Sequence, residues 1–369
     1  MKSYNHLYEI FISDENIQEA ISNGIKGKTK RRDVKWIASH PDEFVEEIRE
    51  YAVNFRPYPY HTPTVITDGC KNKKREIIVP EIHEHIVHHM AVQAMKPMFT
   101  KGMYEHTYSS IPGRGLHVCS KQVKKWMKDK KHTKYCLKLD IKKFFNSVQK
   151  DILMERLEWY IRDKKFLKVI SKILDVEGDG LPLGFYTSHW LANWLLQPLD
   201  HYIKEELHIK YYVRYMDDMV LFAKDKEILH HALREIEEFL RDMKLRIKGD
   251  WQIFRVDYID KETGKHKGRA LDFCGFKFYR DRTQLRKSLL KRFKHKAAKI
   301  NQKKKCTIHD AHQLMAYLGY IDWSDTYQMY KKYIAPCMSF KKCKDRISQY
   351  DNRQNKQLAL IKTKFSERM

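Results

Sequence analysis

The chain has 369 residues, room for two or three packed subdomains, and its hydrophobic share of 42% is too high for general disorder. Lys and Arg number 72 against 47 Asp and Glu, a formal net charge of +25. Such an excess predicts a polyanionic partner, because each neutralised phosphate releases condensed counterions. Nucleic acid is the expectation, against the blander readings of a merely soluble basic protein or one resting on acidic lipid. Cys70, Cys119, Cys136, Cys274, Cys306, Cys337 and Cys343 are scattered, odd in number and form no C-x-x-C pair. That argues against a zinc finger or a disulfide framework and fits reduced thiols. The N-terminus lacks the apolar core of a signal peptide, and no run of about 18 apolar residues occurs. The expectation is a cytoplasmic protein with no membrane partner.

Residues 4–55 read as short helices broken by the basic stretch Lys26–Arg32. Residues 74–80 (KREIIVP) look like a strand ended by Pro80, and helical spacing follows to about Met98. His83, His85, His88 and His89 in that helix are expected as surface or satisfied core histidines rather than a metal site. A flexible turn, Gly113-Arg114-Gly115, leads to a helix near Val118–Asp129. Tyr135–Asp140 (YCLKLD) is an apolar strand whose last residue is an acid. Residues 150–175 are expected as amphipathic helix, 181–184 as a turn and 188–199 as an apolar helix. Residues 213–224 (VRYMDDMVLFAK) have the form of a hairpin, two β-rich runs around a polar tip. A helix over 226–243, a strand or hairpin over 271–279 and a basic helical remainder from Leu285 complete the chain. With no internal repeat or low-complexity linker, the order suggests an α+β body: a mixed sheet with helices on one face, then a helical tail.

Two adjacent acids at a hairpin tip repel each other, and one takes up a proton if buried. Divalent cations resolve that conflict, since carboxylates and phosphate oxygens are the hard ligands that Mg²⁺ prefers. Asp140, ending a separate apolar strand, can complete a site with Asp217 and Asp218 if the strands lie side by side. Two ions about 4 Å apart would then activate a 3′-hydroxyl and neutralise a leaving pyrophosphate. Each acid alone would be read as a solvated turn residue; their combination is much rarer by chance.

Tyr215-Met216-Asp217-Asp218 resembles the YxDD box of reverse transcriptases, and the strand running into Asp140-Ile141-Lys142-Lys143-Phe144-Phe145 resembles their first catalytic motif. The resemblance runs in order from about residue 70 to 280. It implies a right-hand polymerase fold with fingers, an antiparallel-sheet palm and a helical thumb. It implies an N-terminal basic helical segment over 1–70, fingers with part of the palm over 71–135 and 150–210, palm over 136–149 and 211–280, and thumb with a helical tail over 281–369. Asp140, Asp217 and Asp218 would be catalytic and hold two Mg²⁺ ions, with Mn²⁺ as a substitute and the Ile141 carbonyl as a further ligand. Arg75, with Lys73 or Lys74, resembles the triphosphate contact of the fingers. Gly180–Ser188 resembles the motif that supports template and nucleotide, with Gly184 on the nucleotide. Lys248 stands where a nucleotide-side lysine is expected, and Phe145 where the family has an aromatic gate against the 2′-hydroxyl. One of Phe144 and Phe145 is expected in the core, because strand-end neighbours point to opposite faces.

Template and primer would be contacted by Tyr215, Met216, Gly275 of the Phe273–Phe276 primer-grip segment, and the thumb residues Arg286, Lys287, Lys291, Arg292 and Lys294. Tyr317, Tyr320, Trp323 and Tyr327 are expected as packing. The implied partners are a structured RNA template, a DNA or RNA primer, dNTPs and an accessory protein. Priming from a free 3′-hydroxyl, an RNA 2′-hydroxyl or a protein hydroxyl stays open on this sequence. No acid constellation reads as a ribonuclease H, HNH-like endonuclease or protease, so the expected relatives are bacterial retroelement enzymes. The stretch Leu183–Ser188 is most similar to the diversity-generating form, although His189 stands in place of its glutamine; the reverse transcriptases of anti-phage defence systems are the second reading. A non-catalytic RNA-binding protein is the alternative from another class, and it would have no use for the three acids together.

Overall fold

The computed structural model describes residues 3–28, 31–58, 63–67, 74–303, 307–336 and 340–366. The chain opens with four helices, α1 (Leu7–Phe11), α2 (Asp14–Gly24), α3 (Arg32–Ser39) and α4 (Pro41–Val53). Ser13 starts α2 by accepting from the Asn16 N–H at 3.3 Å, and Pro41 opens α4 where no N–H is needed. Ile17, Ala20, Ile21 and Gly24 form a buried stripe on α2 at helical spacing. They pack on α5 (Ile82–Thr100), which follows the antiparallel hairpin β1 (Pro63–Thr67) and β2 (Lys74–Ile78). Helix α5 is buried on nearly every side, so it lacks the clean amphipathic stripe of a surface helix.

Next come β3 (Thr107–Tyr108), α6 (Leu116–Trp126), β4 (Tyr135–Asp140), α7 (Phe144–Ser147), α8 (Lys150–Tyr160) and α9 (Lys164–Leu174). Sequence spacing predicts one helix across 150–175, and the structure has two. Tyr4 causes the break: Ile161 pairs with it in a β-bridge and the Arg162 N–H donates to its carbonyl at 3.0 Å. Asp163 then caps α9 by accepting from the Phe166 N–H. Helices α10 (Tyr186–Leu195) and α11 (Gln197–His201) run into a π-helical turn, Tyr202–Glu206. Strands β5 (Tyr211–Tyr215) and β6 (Asp218–Ala223), helix α12 (Lys226–Asp242) and β7 (Gln252–Arg255) close the central sheet.

That sheet has the order β3-β5-β6-β4-β7, antiparallel throughout except for the short β3–β5 pair. Both of its faces are buried, not one. Along β6, Met219, Leu221 and Ala223 join a core shared with α5, α10 and α12, while Val220 and Phe222 join a second core on the opposite face. Burial on both sides makes β4 and β6 near-continuous apolar runs rather than alternating ones.

The second core is completed by β8 (Tyr258–Ile259), β9 (His266–Lys267), the three-stranded sheet of β10 (Leu271–Phe273), β11 (Phe276–Phe278) and β12 (Thr283–Leu285), and the last helices. These are α13 (Lys287–Asn301), α14 (Ile308–Asp322), the short α15 (Tyr327–Met329) with a π-helical turn Tyr330–Ile334, and α16 (Phe340–Ser366). Leu289, Phe293, Ala297 and Ile300 form the buried stripe of α13. Tyr317, Tyr320 and Trp323 pack on this core, but Tyr327 is 57% exposed, because α15 presents no buried residue. Helix α16 packs along α14 and also meets α2, α3 and α4, so the first and last helical segments touch. Among the described residues no helix is long and apolar enough to cross a membrane.

The four α5 histidines are taken up by protein neighbours. His83 meets Glu47 at 2.8 Å, His85 lies 3.2 Å from the Lys28 ammonium, His88 bonds Thr187 at 2.9 Å and the His89 ring stacks on Tyr186 at 4.0 Å. Burial, reinforced by the Lys28 charge, pushes His85 down to about 3 and His89 to about 4. The unfolded chain takes up these protons near pH ~6.5, before the folded one does. Their contribution to stability is therefore complete above pH ~6.5 and is lost as pH falls toward the folded values. Between pH 7 and 5 the wild type should lose more thermal stability than His85→Gln, which keeps an acceptor for Lys28 without a titrating ring. Equal slopes in the two melting series would contradict this.

Candidate active site

Strands β4 and β6 are paired in full register, which sets Asp140 directly opposite Asp218. Like charges in that position destabilise a sheet unless something neutralises them. Both lie on the β6 face that carries Val220 and Phe222, at the strand ends, where the side chains are half-exposed. Asp217 sits in the turn between β5 and β6, and all three acids line one cavity of about 810 Å³. Its other walls include Lys74 and Arg75 of β2, Phe145 of α7, Leu183 and Lys248. The Lys248 N–H donates to the Asp140 carbonyl at 2.8 Å. Its ammonium is paired with Asp250; that bond first, then the charges of Asp140 and Asp218, raise its pKa. The Ile141 side chain is buried. Ile141 forms a bridge with Ile247, flanked by the Lys248-to-Asp140 and Lys142-to-Arg246 bonds. In such a non-hydrogen-bonded pair the Ile141 carbonyl turns away from Ile247, toward the β6 side.

The acid-bearing turn is built on a residue in the left-handed region: Met216 has φ 58°. A non-glycine residue holds such a backbone only where its surroundings over-determine it. Here the Met216 N–H donates to the Tyr108 carbonyl at 3.2 Å, and the Met216 carbonyl accepts from Arg214 Nη1 at 3.1 Å. Arg214 is fully buried and forks onto Asp200, with Nε to Oδ1 at 2.7 Å and Nη2 to Oδ2 at 2.5 Å. Asp200 also accepts from the Tyr212 hydroxyl at 2.7 Å and the Thr107 hydroxyl at 3.1 Å. Asn193 takes the remaining guanidinium donors through its side-chain and main-chain oxygens. Burial works against the Arg214 charge, and the Asp200 carboxylate outweighs it, so the arginine is held more firmly protonated than usual.

Sequence reasoning missed Arg214 and Asp200. The available signal was a cation inside an apolar strand, which needs a buried partner. Arg214→Ala leaves Asp200 buried and uncompensated, and should lower unfolding free energy by about 3–5 kcal/mol. Chemical denaturation measures this, and a loss below about 1 kcal/mol would contradict the assignment.

The other expected residues divide into those that reach the cavity and those that do not. Arg75 lines it, while Lys73 lies outside the described residues. Gly184 is absent from the lining and has φ 106°, with its backbone so close to β2 that a Cβ would stand 2.1 Å from the Ile78 carbonyl. Its glycine is thus explained by the docking of this turn on β2, sealed by the Ile78 N–H donating to Leu183 at 2.7 Å. Phe144 and Phe145 are both buried, at 2% and 9% exposure. The strand has ended, and Lys143 at φ 48° starts the helical turn α7, so the two rings do not alternate across a sheet. Both residues line the cavity.

Tyr215 pairs with Asp218 and packs on the second core, and Met216 is buried in the first. Gly275 turns β10 into β11 and faces the Tyr320 ring of α14 rather than the acids. Arg286 is bonded to Asp272, with Nε to Oδ1 at 2.8 Å. On α13, Lys287 and Lys291 are exposed beside His295 and Lys299 on one row, Arg292 is half-buried, and Lys294 covers the Tyr333 ring at 4.3 Å.

The donor set fits a hard divalent cation. Asp140, Asp217 and Asp218 offer carboxylate oxygens in one cleft, and Ile141 offers a carbonyl on the same strand end. Among the described residues no three His, Cys, Asp or Glu side chains converge as a ready cage. Mg²⁺ shared with substrate phosphates needs none, since it keeps several waters and takes one or two carboxylates.

Residues 66–254, just over half of the chain, match the family model described as reverse transcriptase (RNA-dependent DNA polymerase). Protein YkfC of Escherichia coli strain K12 is 22% identical over 63% of this chain and 69% of its own length. The retron Ec73 reverse transcriptase of Escherichia coli is 30% identical over 31% of this chain and 42% of its own length. A solved telomerase from Candida albicans, in complex with a fragment of telomeric RNA, aligns over 87% of this chain and 62% of that one. Its TM-score of 0.45 and 13% identity make it too distant to carry any inference. With the matched segment running from β1 to β7, through both acid-bearing strands, the chain belongs to the reverse transcriptase family of RNA-dependent DNA polymerases, in the company of bacterial retroelement enzymes.

Proposed function

We propose that the chain copies a dedicated structured RNA into DNA by two-metal nucleotidyl transfer. The observation that carries this is the cross-strand pair Asp140–Asp218, with Asp217 beside it, in a cleft whose other charged walls include Lys74, Arg75 and Lys248. Asp140, Asp217, Asp218 and the Ile141 carbonyl would hold two Mg²⁺ ions, or Mn²⁺ in their place. When bound, such a pair activates the primer 3′-hydroxyl and neutralises the leaving pyrophosphate. The chain's own residues bind and orient. Arg75 and Lys74 offer cations to the triphosphate from the fingers side, and Lys248 from the palm side. Phe145 fills the space beneath the sugar, so deoxynucleotides are accepted and ribonucleotides refused. The exposed row Lys287, Lys291 and Lys299 on α13 suits the phosphate backbone of template and primer, which such cations position without reading its sequence.

The biological source we favour is a diversity-generating type of retroelement, supported by the Leu183–Ser188 stretch. His189, where that form has glutamine, favours the second reading: an anti-phage defence enzyme with a partner non-coding RNA. Sequencing DNA made on the co-purified RNA separates them, with scattered substitutions expected for the first and faithful copies for the second.

Primer extension on an RNA template with Mg²⁺ and dNTPs tests the activity itself. Wild type should extend, and the Asp217→Ala, Asp218→Ala double variant should be slower by about three orders of magnitude, as several kcal/mol of charge stabilisation is lost. An RNA-binding protein without catalysis would extend nothing in either form, with its own co-purified RNA present or not.

A further inference from the structure

We infer that His189 positions Phe145, bracing its ring from the side so that it refuses a ribose 2′-hydroxyl. The inference rests on the reading of Phe145 as the sugar gate and names a second residue on which that gate depends.

A steric gate discriminates only if it cannot yield. The Phe145 main chain is fixed by the turn that precedes α10. Its carbonyl accepts from the Leu181 N–H at 2.7 Å, and Gly180 lies so close that a Cβ there would stand 2.1 Å from the same oxygen. Among the described residues the ring has two aromatic neighbours. Phe144 meets it at 5.7 Å and 64°, and the His189 ring at 5.2 Å and 73°, both edge-to-face arrangements that aromatic pairs favour. Phe144 is 2% exposed, and His189 closes the side of the Phe145 ring toward α10.

His189 is well placed to hold that side. Its neighbours Ser188 and Trp190 are buried, which fixes the rotation of α10. The start of the helix is tied to α5 by the Tyr186–His89 stack at 4.0 Å and the His88–Thr187 bond at 2.9 Å. The Nδ1 atom of His189 is buried with no hydrogen-bond partner, a cost that the ring contact has to offset. Burial also lowers its pKa, so at neutral pH the ring is uncharged and packs as an aromatic disc. Rotation of the Phe145 side chain about its own bonds is thus blocked by histidine, and removing the imidazole opens a space into which the phenyl ring can swing.

The test compares kcat/KM for one dNTP and its rNTP counterpart in wild type, His189→Ala, His189→Phe, Phe145→Ala and the double variant His189→Ala, Phe145→Ala. The dNTP:rNTP ratio should fall about tenfold in His189→Ala, through faster ribonucleotide incorporation, the size expected for a small change in pocket volume. It should stay near wild type in His189→Phe, which keeps a ring there. Phe145→Ala should lower the ratio further, and the double variant no more than Phe145→Ala alone, the coupling expected of residues that act together. A lowered ratio in Phe145→Ala with an unchanged one in His189→Ala overturns the bracing role and leaves the gate standing. An unchanged ratio in Phe145→Ala overturns the gate, and the bracing role with it. Equal slowing of both nucleotides in His189→Ala means a purely structural part and also overturns the inference. Should His189→Ala fail to fold, His189→Gln, close in size but without a ring, is expected to show the same loss of ratio.

Discussion

The acid-bearing turn of the cleft rests on one buried ion pair, Arg214 with Asp200. Both residues are wholly out of solvent, where an unpaired charge costs several kcal/mol. The pair persists because its remaining donors and acceptors are met: Tyr212 and Thr107 on the carboxylate, Asn193 and the Met216 carbonyl on the guanidinium. A fully satisfied network of this kind is rigid, and rigidity here has a location. It joins α11, β3, β5 and α10 beneath the left-handed turn at Met216. Asp217 and Asp218 follow that turn directly, and Arg214 holds it through the Met216 carbonyl.

Above that foundation the cleft sets acids and cations side by side. Two aspartates face each other across β4 and β6 and a third adjoins them, so three carboxylates are gathered at the strand ends. Around them, Lys74, Arg75 and Lys248 supply positive charge from two sides. The sheet has both faces buried, which confines access to the strand ends. The second core then fixes α13 against the same sheet, so the exposed lysine row and the acids belong to one frame.

Much of this was legible in the residues. The hairpin over 213–224, the strand ending at Asp140 and their juxtaposition follow from apolar runs interrupted by acids, a pattern with few physical solutions. The less legible parts depended on contacts distant in sequence. Nothing local announces that Tyr4 splits the helix over 150–175, or that Asp200 answers Arg214. Gly184 shows the same limit: its motif marks it as important, but the reason is the Ile78 backbone of another element. Phe144 and Phe145 were misjudged for a local reason, since the left-handed Lys143 ends the strand and turns the pair into one helical turn. The burial of both sheet faces was less legible because charge dominates the basic helical tail, while its Leu289–Phe293 stripe is core.

The central claim is that Asp140, Asp217 and Asp218 share a single divalent-metal site. Iron-directed cleavage tests it most directly: Fe²⁺ replaces Mg²⁺ in the presence of template, primer and dNTP, and hydroxyl radicals generated at the ion cut the nearest backbone. The account predicts two clusters of cuts, around residue 140 and around residues 217–218, both suppressed by excess Mg²⁺. Cuts confined to one strand, or centred on the histidines of α5, would contradict it.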